Sequence, residues 1–403
     1  MNYRKVAVVG AGAMGAGIGQ VLAARSMEVV MIDIAPASVE KGIERIGARF
    51  ESDVKKGRIR AEEKDRIMGR IKGSVSQEDA SSADLVIEAI VEERRAKEGL
   101  FRSLDRICPS ATVFATNTST LSVTDLGALS GRPKRFLGLH FFNPVHVMKL
   151  VEVIPGFDTE KTAVGDAIAA MKSINKVPVK VQDCPGFLVN RILLTYVGEA
   201  LLCAQEGISP EEIDRGARDA GFPMGPLELS DMVGWDVSLH TMPTLHSAYG
   251  ERFSVPALVR MLNETGRLGM KTGKGIYCDG KVDDEFRSMV ERITPAGDQK
   301  KDAFSINRLI LRQVNEAIFC LQEGVAVPEE IDRAMVLGTA FPNEAGVGGP
   351  LHWADEKGLD WVLSALKELT KSKGVRFWPH HLLKTYVAAG RLGRKTGKGF
   401  FEY

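Results

Sequence analysis

Residues 5–33 read KVAVVGAGAMGAGIGQVLAARSMEVVMID, and this stretch decides the fold. KVAVV is a short apolar run of the kind that forms a strand buried on both faces. It passes directly into Gly10-Ala11-Gly12-Ala13-Met14-Gly15, then into a small-residue helix, AGIGQVLAARS, and then into a second apolar strand that ends on Asp33. Strand, glycine turn, helix, strand and acid within about thirty residues make a dinucleotide-binding unit. Gly10 permits the tight turn, Gly12 lets backbone approach a pyrophosphate, and Gly15 lets the helix pack close to the strand. The helix N-terminus offers unpaired N–H groups and the positive end of its dipole to phosphate. Asp33 can accept from the adenosine ribose hydroxyls and would repel a 2′-phosphate, and Ile34 to Ser38 bring no Lys or Arg to reverse that. The expected cofactor is NAD rather than NADP. A glycine pattern alone could be a packing turn; the flanking strands and the placed acid argue for a ligand.

Outward from this unit, ADLVIEAI (83–90), ATVFATNTS (111–119) and RFLGLHFF (135–142) read as further strands, and the Lys- and Arg-rich stretch 36–72 reads as amphipathic helix. Alternating helices and apolar strands predict an α/β, Rossmann-type, doubly wound and mostly parallel sheet. Such sheets bind ligands beyond the C-terminal ends of their strands. Glu92, Lys97, Asn117, Ser119, His140 and Asn143 all fall at those ends. Each could be a cap or turn former, Asn117 and Ser119 above all; that they share one edge favours a site.

From residue 184 the chain repeats itself. NRILLTYVGEALLCAQEG (190–207) aligns without gaps to NRLILRQVNEAIFCLQEG (307–324), with ten of eighteen positions identical. GPLELSDMVGWD (225–236) matches GPLHWADEKGLD (349–360), and GRLGMKTGKG (266–275) agrees with GRLGRKTGKG (390–399) at nine of ten positions. The offset grows from 117 to 124 along the repeat. Long apolar periodicities broken by Gly and Pro make both copies helical. The expected organisation is a dinucleotide domain over 1–182, a helical copy over 183–280, a charged linker with room for one helix over 281–304, and a second helical copy over 305–403. Two like units either pack as an internal pseudo-dimer or stand as independent beads. The first leaves a monomer or a homodimer open.

The whole chain, 403 residues with 44% hydrophobic and 26% charged side chains, has ordinary globular usage, and its net charge of +1 gives no electrostatic case for nucleic acid or an anionic membrane. No apolar run reaches the roughly 18 to 20 residues of a membrane span. The five cysteines are scattered without a CxxC pair, which fits reduced thiols better than a disulfide framework or a zinc site. With no leader before the first strand and no peroxisomal ending in FEY, the expected compartment is the cytoplasm. No histidine spacing suggests a metal; His380 and His381, being adjacent, read as solvated.

GAGAMG, the Asp33-Ile34 pair, EAIVEERRAK, TNTSTLS, HFFNPVHVMKLVEVI and DCPGFLVNR, in this order, resemble the L-3-hydroxyacyl-CoA dehydrogenase family. The resemblance spans essentially the whole chain. The duplicated part is similar to the dehydrogenase half of the fused β-oxidation multifunctional enzymes, with the hydratase half expected to be absent. The resemblance implies His140 as base with Glu152 as its carboxylate partner, and Ser119 and Asn190 as hydrogen-bond partners of the substrate near its reacting oxygen. It implies an NAD site lined by Asp33, Glu92, Lys97, Ser119 and Asn143 with the Gly10–Gly15 loop, a 3-hydroxyacyl-CoA or 3-ketoacyl-CoA substrate, and (S) stereochemistry. The segment from Arg49 to Lys72, where the family meets the CoA phosphates, matches poorly. Arg49, Lys55, Lys56 and Arg58 could supply the charge or form a solvated helix face.

The chemistry bears on the same residues without the family. Oxidising a 3-hydroxyl needs a base for the O–H proton while hydride leaves carbon, and imidazole titrates near working pH. A carboxylate on its other nitrogen fixes the tautomer and stabilises the imidazolium. Asn143-Pro144 is a turn signal; if LGLHFF and KLVEVI fold back on one another around it, His140 lies opposite Glu152 and His146 sits at the bend. His140 alone could be a satisfied core histidine, but an unpaired carboxylate in an apolar strand is costly. Two other functions stay open from sequence: an NAD-dependent dehydrogenase of a free hydroxy or sugar acid, and a non-catalytic, crystallin-like NAD-binding protein. Asn307, the repeat of Asn190, has no second dinucleotide domain before it and reads as structural.

Overall fold

The computed structural model describes residues 3–294, 303–344 and 347–403, and the chain divides after Phe187 into two compact units. In the first, β1 (Lys5–Val9), β2 (Glu28–Ile32), β3 (Ile71–Ser74), β4 (Leu85–Glu88), β5 (Val113–Thr116), β6 (Phe136–Phe141), β7 (Leu150–Pro155) and β8 (Val177–Lys180) form one eight-stranded sheet. Its order is β3-β2-β1-β4-β5-β6-β7-β8, and β6 with β7 is its antiparallel pair. The helices of this unit are α1 (Ala13–Ala23), α2 (Pro36–Lys55), α3 (Ala61–Met68), α4 (Arg94–Ile107), α5 (Val123–Leu129) and α6 (Lys161–Ser173). Every residue of β4, β5 and β6 is buried, as expected for central strands of a doubly wound sheet. The β6–β7 connector, 142–149, is too short for a crossover helix, which is why this pair turns back as a hairpin.

The stretch 36–72, expected as helix, is two helices and the start of a strand. α2 ends at Lys55, Gly57 takes a left-handed φ of +66°, and β3 begins at Ile71 beside Val29 of β2. A Cβ on Gly73 would lie 2.5 Å from Val39 Cγ1, so this edge strand runs against α2 where no side chain fits. Four residues that include a lysine and a glycine carry too little alternation to be seen as a strand. Residues 183–187, assigned from sequence to the helical part, belong to the first unit. The Asp183 carboxylate accepts from the Ser122 hydroxyl at 2.9 Å and from the Val123 and Thr124 N–H groups at 3.2 and 2.8 Å, which ties it to the start of α5.

The second unit holds both helical copies. The first contributes α7 (Val189–Gln205), α8 (Pro210–Asp219), α9 (Pro226–Val233), α10 (Trp235–Tyr249) and α11 (Ala257–Glu264). α12 (Asp284–Ile293) falls in the expected linker, whose residues 295–302 lie outside the described residues. The second contributes α13 (Ile306–Gln322), α14 (Pro328–Thr339), α15 (Pro350–Lys357), α16 (Leu359–Lys373) and α17 (His381–Ala388). α7 and α13 pack on each other and are buried nearly all round, the mark of central helices.

Their seam is reciprocal. Arg191 Nε donates to Glu316 Oε1 at 2.7 Å, and Arg308 Nε donates to Glu199 Oε1 at 2.7 Å. Farther along, Arg191 pairs with Glu323 at 2.8 Å and Arg308 with Glu206 at 2.7 Å. Each cation of one copy thus meets the carboxylates of the other, the relation of a pseudo-dimer. His380 is not a solvated residue: its Nδ1 accepts from the Leu382 N–H at 2.9 Å as the cap of α17, and its ring lies 4.4 Å from that of Phe319. Among the described residues no helix is long and apolar enough to cross a membrane.

Candidate active site

The glycine loop follows β1 at the C-terminal edge of the sheet. Gly10 takes a φ of +104°, and a Cβ there would lie 2.4 Å from the Ala89 carbonyl oxygen. A Cβ on Gly15 would fall on the Gly10 carbonyl, so α1 leaves the loop at the closest approach backbone allows. Gly12 has nothing within 4 Å of a built Cβ and begins α1 with no side-chain cap. Gly12 and Ala13 are exposed and Met14 half-buried. Unspent N–H groups beneath open space are what a pyrophosphate needs. The Ala11 N–H donates to Asp33 Oδ2 at 2.8 Å, so the acid after β2 also fixes the loop.

The β6–β7 hairpin sets His140 opposite Glu152. Both are buried, and His140 Nδ1 lies 2.6 Å from Glu152 Oε2. An ionised carboxylate only accepts, so Nδ1 carries the proton and Nε2 is left as an acceptor. The Ser119 hydroxyl, 3.1 Å from Nε2, faces that lone pair. The imidazole is flanked by Phe142 and Phe187, with ring centroids 4.6 and 5.7 Å away. Phe187 holds a left-handed φ of +49°, a conformation a bulky residue adopts at a cost and that surrounding packing must enforce.

Neither Asn117 nor Ser119 is a helix cap; Ser122 caps α5 through the Asp125 N–H. Asn117 Oδ1 accepts from the Phe141 N–H at 2.8 Å, joining the ends of β5 and β6. Ser119 is placed by Glu92, whose Oε1 accepts from the Ser119 and Thr120 N–H groups at 2.8 and 3.1 Å and from the Thr118 hydroxyl at 2.5 Å. Burial would raise the Glu92 carboxyl, but the Lys97 charge and the Thr118, Lys97 and Ser119 hydrogen bonds outweigh it and bring it down to about 2.

Lys97 turns inward from the strand edge. It is 1% exposed, and its ammonium is committed to Glu88 at 2.7 Å and Glu92 at 3.0 Å. Glu88, missed in the sequence, also accepts from the Thr116 hydroxyl at 2.6 Å and the Ile90 N–H at 2.8 Å. A run of polar contacts therefore leads from Glu88 through Lys97, Glu92 and Ser119 to His140 and Glu152. Asn143 and His146 are exposed on the hairpin connector. Asn190 lies in the first turn of α7, in the second unit. Arg49 and Arg58 both face Asp53, at 3.7 and 3.1 Å, while Lys55 and Lys56 are exposed.

Comparison with known proteins identifies the family. Residues 5–184 match the family model described as 3-hydroxyacyl-CoA dehydrogenase, NAD binding domain; residues 186–279 and 304–403 match that of the 3-hydroxyacyl-CoA dehydrogenase, C-terminal domain. The chain is 34% identical over 396 residues to the fatty acid oxidation complex subunit alpha of Shewanella amazonensis, an alignment covering 96% of this chain and 56% of that protein. It is 42% identical over 280 residues to the probable 3-hydroxybutyryl-CoA dehydrogenase of Bacillus subtilis, covering 69% of this chain and 98% of that protein. The chain thus spans little more than half the length of the first relative and extends beyond the second. Among solved structures, the 3-hydroxybutyryl-CoA dehydrogenase of Escherichia coli superposes with a TM-score of 0.87 at 32% identity, covering 96% of this chain and 99% of that one.

Proposed function

The chain belongs to the 3-hydroxyacyl-CoA dehydrogenase family, and from that premise we propose that it interconverts (S)-3-hydroxyacyl-CoA and 3-ketoacyl-CoA with NAD. Its substrates include 3-hydroxybutyryl-CoA, and its setting is fatty-acid β-oxidation or short-chain acyl-CoA metabolism. The observation that carries the reading is the His140 ring, held by Glu152 on one nitrogen and presenting the other toward Ser119.

The residues suit NAD. The loop beneath Gly12 is open, Asp33 stands just after β2, and Ile34 to Ser38 bring no basic side chain to welcome a 2′-phosphate. NAD, when bound, would supply the acceptor for the hydride of the 3-carbon. His140 Nε2 takes the hydroxyl proton, and Glu152 stabilises the imidazolium while keeping the ring in register. Ser119 would hold the reacting oxygen; Asn143 and the Gly10–Gly15 loop would hold the cofactor. Phe142 and Phe187 keep bulk water from the ring, which strengthens each of these polar contacts. The scattered cysteines support a cytoplasmic location, and the reciprocal α7–α13 seam supports a chain that supplies both halves of a dimer by itself.

The pairing of Arg49 and Arg58 with Asp53 favours a second reading, a free hydroxy acid without CoA, because it occupies charges the CoA phosphates would use. One assay addresses both: purified protein with NADH or NADPH and either acetoacetyl-CoA or acetoacetate, followed by nicotinamide absorbance. Turnover with acetoacetyl-CoA and NADH, lowered about 10²- to 10⁴-fold in His140→Gln, is expected. Turnover no faster than that variant at every acyl chain length overturns the proposal, and a preference for acetoacetate replaces it with the second reading.

A further inference from the structure

Lys176 is a buried cation at the start of β8, 7% exposed, that the chemistry above does not use. Its ammonium donates to the backbone carbonyls of Val145 and, at 2.6 Å, Met148. Both carbonyls belong to the β6–β7 connector. Burial alone drives the Lys176 pKa down, to about 8, with no carboxylate acting to raise it. A buried ammonium held only by carbonyls is expensive compared with an apolar side chain of the same length. The connector gives no local reason for that expense. His146, Val147 and Lys149 are exposed, so water could satisfy the two carbonyls if the connector lifted away from the sheet.

What the lysine prevents is that lifting. Val145 is 2% exposed, and a Cβ built on Gly17 of α1 would lie 2.9 Å from its Cβ and Cγ2. The connector is therefore pressed onto the helix that begins at the open glycine loop. Two residues before Val145 stands Asn143, and the two ends of the connector lead to His140 and Glu152. The Val147 and Met148 N–H groups both donate to the Pro144 carbonyl at 2.9 Å, which makes the connector a tight turn that moves as one piece.

We propose that Lys176 is a positioning residue for the dinucleotide site, clamping the β6–β7 connector through Val145 onto α1 and so fixing Asn143 relative to the glycine loop. Its kinetic consequence rests on the dehydrogenase reading; its binding consequence rests only on the NAD site. The pair Lys176→Met and Lys176→Arg separates the donors from the packing, because arginine restores hydrogen bonds to both carbonyls and methionine fills space without them. NADH affinity is measured by fluorescence titration of the full chain, with kcat and KM for each substrate and the unfolding temperature beside it. Lys176→Met is expected to raise the NADH Kd and the KM for NADH together by about tenfold or more, the scale of a lost charge-assisted hydrogen bond. Saturating NADH should restore kcat, the KM for acetoacetyl-CoA should hold, and Lys176→Arg should recover most of the NADH affinity.

An unchanged NADH Kd in Lys176→Met, a loss of kcat that saturating NADH does not restore, or an arginine variant as impaired as the methionine one would overturn the clamp. Should Lys176→Met fail to fold, Val145→Ala loosens the same contact without touching the ion and is read in the same titration, where an unchanged Kd also counts against the clamp. Wild-type protein that binds NADH but reduces no acyl-CoA sinks the dehydrogenase reading alone, since the titration still decides the clamp.

Discussion

Two buried contacts between oppositely chargeable groups in this chain have nearly the same length and different surroundings. His140 and Glu152 meet at 2.6 Å in the hairpin, and Arg191 and Glu316 at 2.7 Å between the central helices. In the helical seam the hydrogen-bonding capacity is turned inward and doubled: Glu316 also lies 3.7 Å from Arg252, and Arg191 also reaches Glu323. In the hairpin the histidine keeps one nitrogen turned toward the Ser119 hydroxyl. What separates the two pairs is their company: further arginines and glutamates at the seam, a serine hydroxyl at the hairpin. Burial and distance alone do not tell the two apart.

The largest break in this comparison is expected at Glu152. Glu152→Gln keeps the shape of the hairpin but removes the charge that steadies an imidazolium, so kcat should fall by about 10²- to 10⁴-fold, the range of acid–base contributions and of triad carboxylate removal. The unfolding temperature should barely move; a large drop in stability with activity per folded molecule retained would make this pair structural as well.

The seam should answer in the other currency. Glu316→Leu leaves Arg191 short of its inner carboxylate and should cost about 3–5 kcal/mol in chemical denaturation, while turnover per folded molecule stays within about twofold. Adding Arg191→Met should recover much of the loss, because two apolar side chains replace a charge left without its partner. A double variant less stable than the single one would mean that the seam is worth more than its desolvation.

The smallest effect is one of pH. Burial would raise the Glu206 carboxyl, but hydrogen bonds from Arg308 and Lys373 and their charges hold it at about 2, below its ordinary value of 4.5. A carboxyl lowered in the folded state stabilises the fold above its unfolded pKa, and that stability is lost as pH falls through the folded value. Glu206→Gln should therefore be less stable than wild type near neutrality, and the gap in unfolding temperature should close between pH about 4.5 and about 2. A gap that stays constant across that range would remove Glu206 from the ionic part of the seam.

Much of this was legible in the sequence where a spacing does physical work. The glycine loop with Asp33 and the hairpin that opposes His140 to Glu152 both follow from local geometry, so a short window holds the whole signal. Glu88 was missed although it carries the same signal as Glu152, a carboxylate inside an apolar strand, VIEAI beside VEVI. The turn of Lys97 toward Glu88 was not foreseen, because a strand-edge position does not say which way a long side chain turns. β3 and the boundary at Phe187 depend on contacts from distant segments, Val39 above Gly73 and α5 beside Asp183, that no periodicity records. The seam was half visible. Arg191, Glu199 and Glu206 recur as Arg308, Glu316 and Glu323 among the ten identical positions of the repeat, charges kept in otherwise apolar helices. What the alignment alone left unsaid was that each arginine answers the other copy's glutamate rather than its own.

That crossed arrangement ties the histories of the two copies together. A charge altered at 191 can be mended at 316 but not at 308, so a change at one of these charges must find its answer in the other helix. Away from the pairs, the helices have been at liberty to part company: Gly198 and Ala204 of α7 correspond to Asn315 and Leu321 of α13. The duplicated halves are thus held to a common ancestry at the few positions where they shake hands, and differ where they do not.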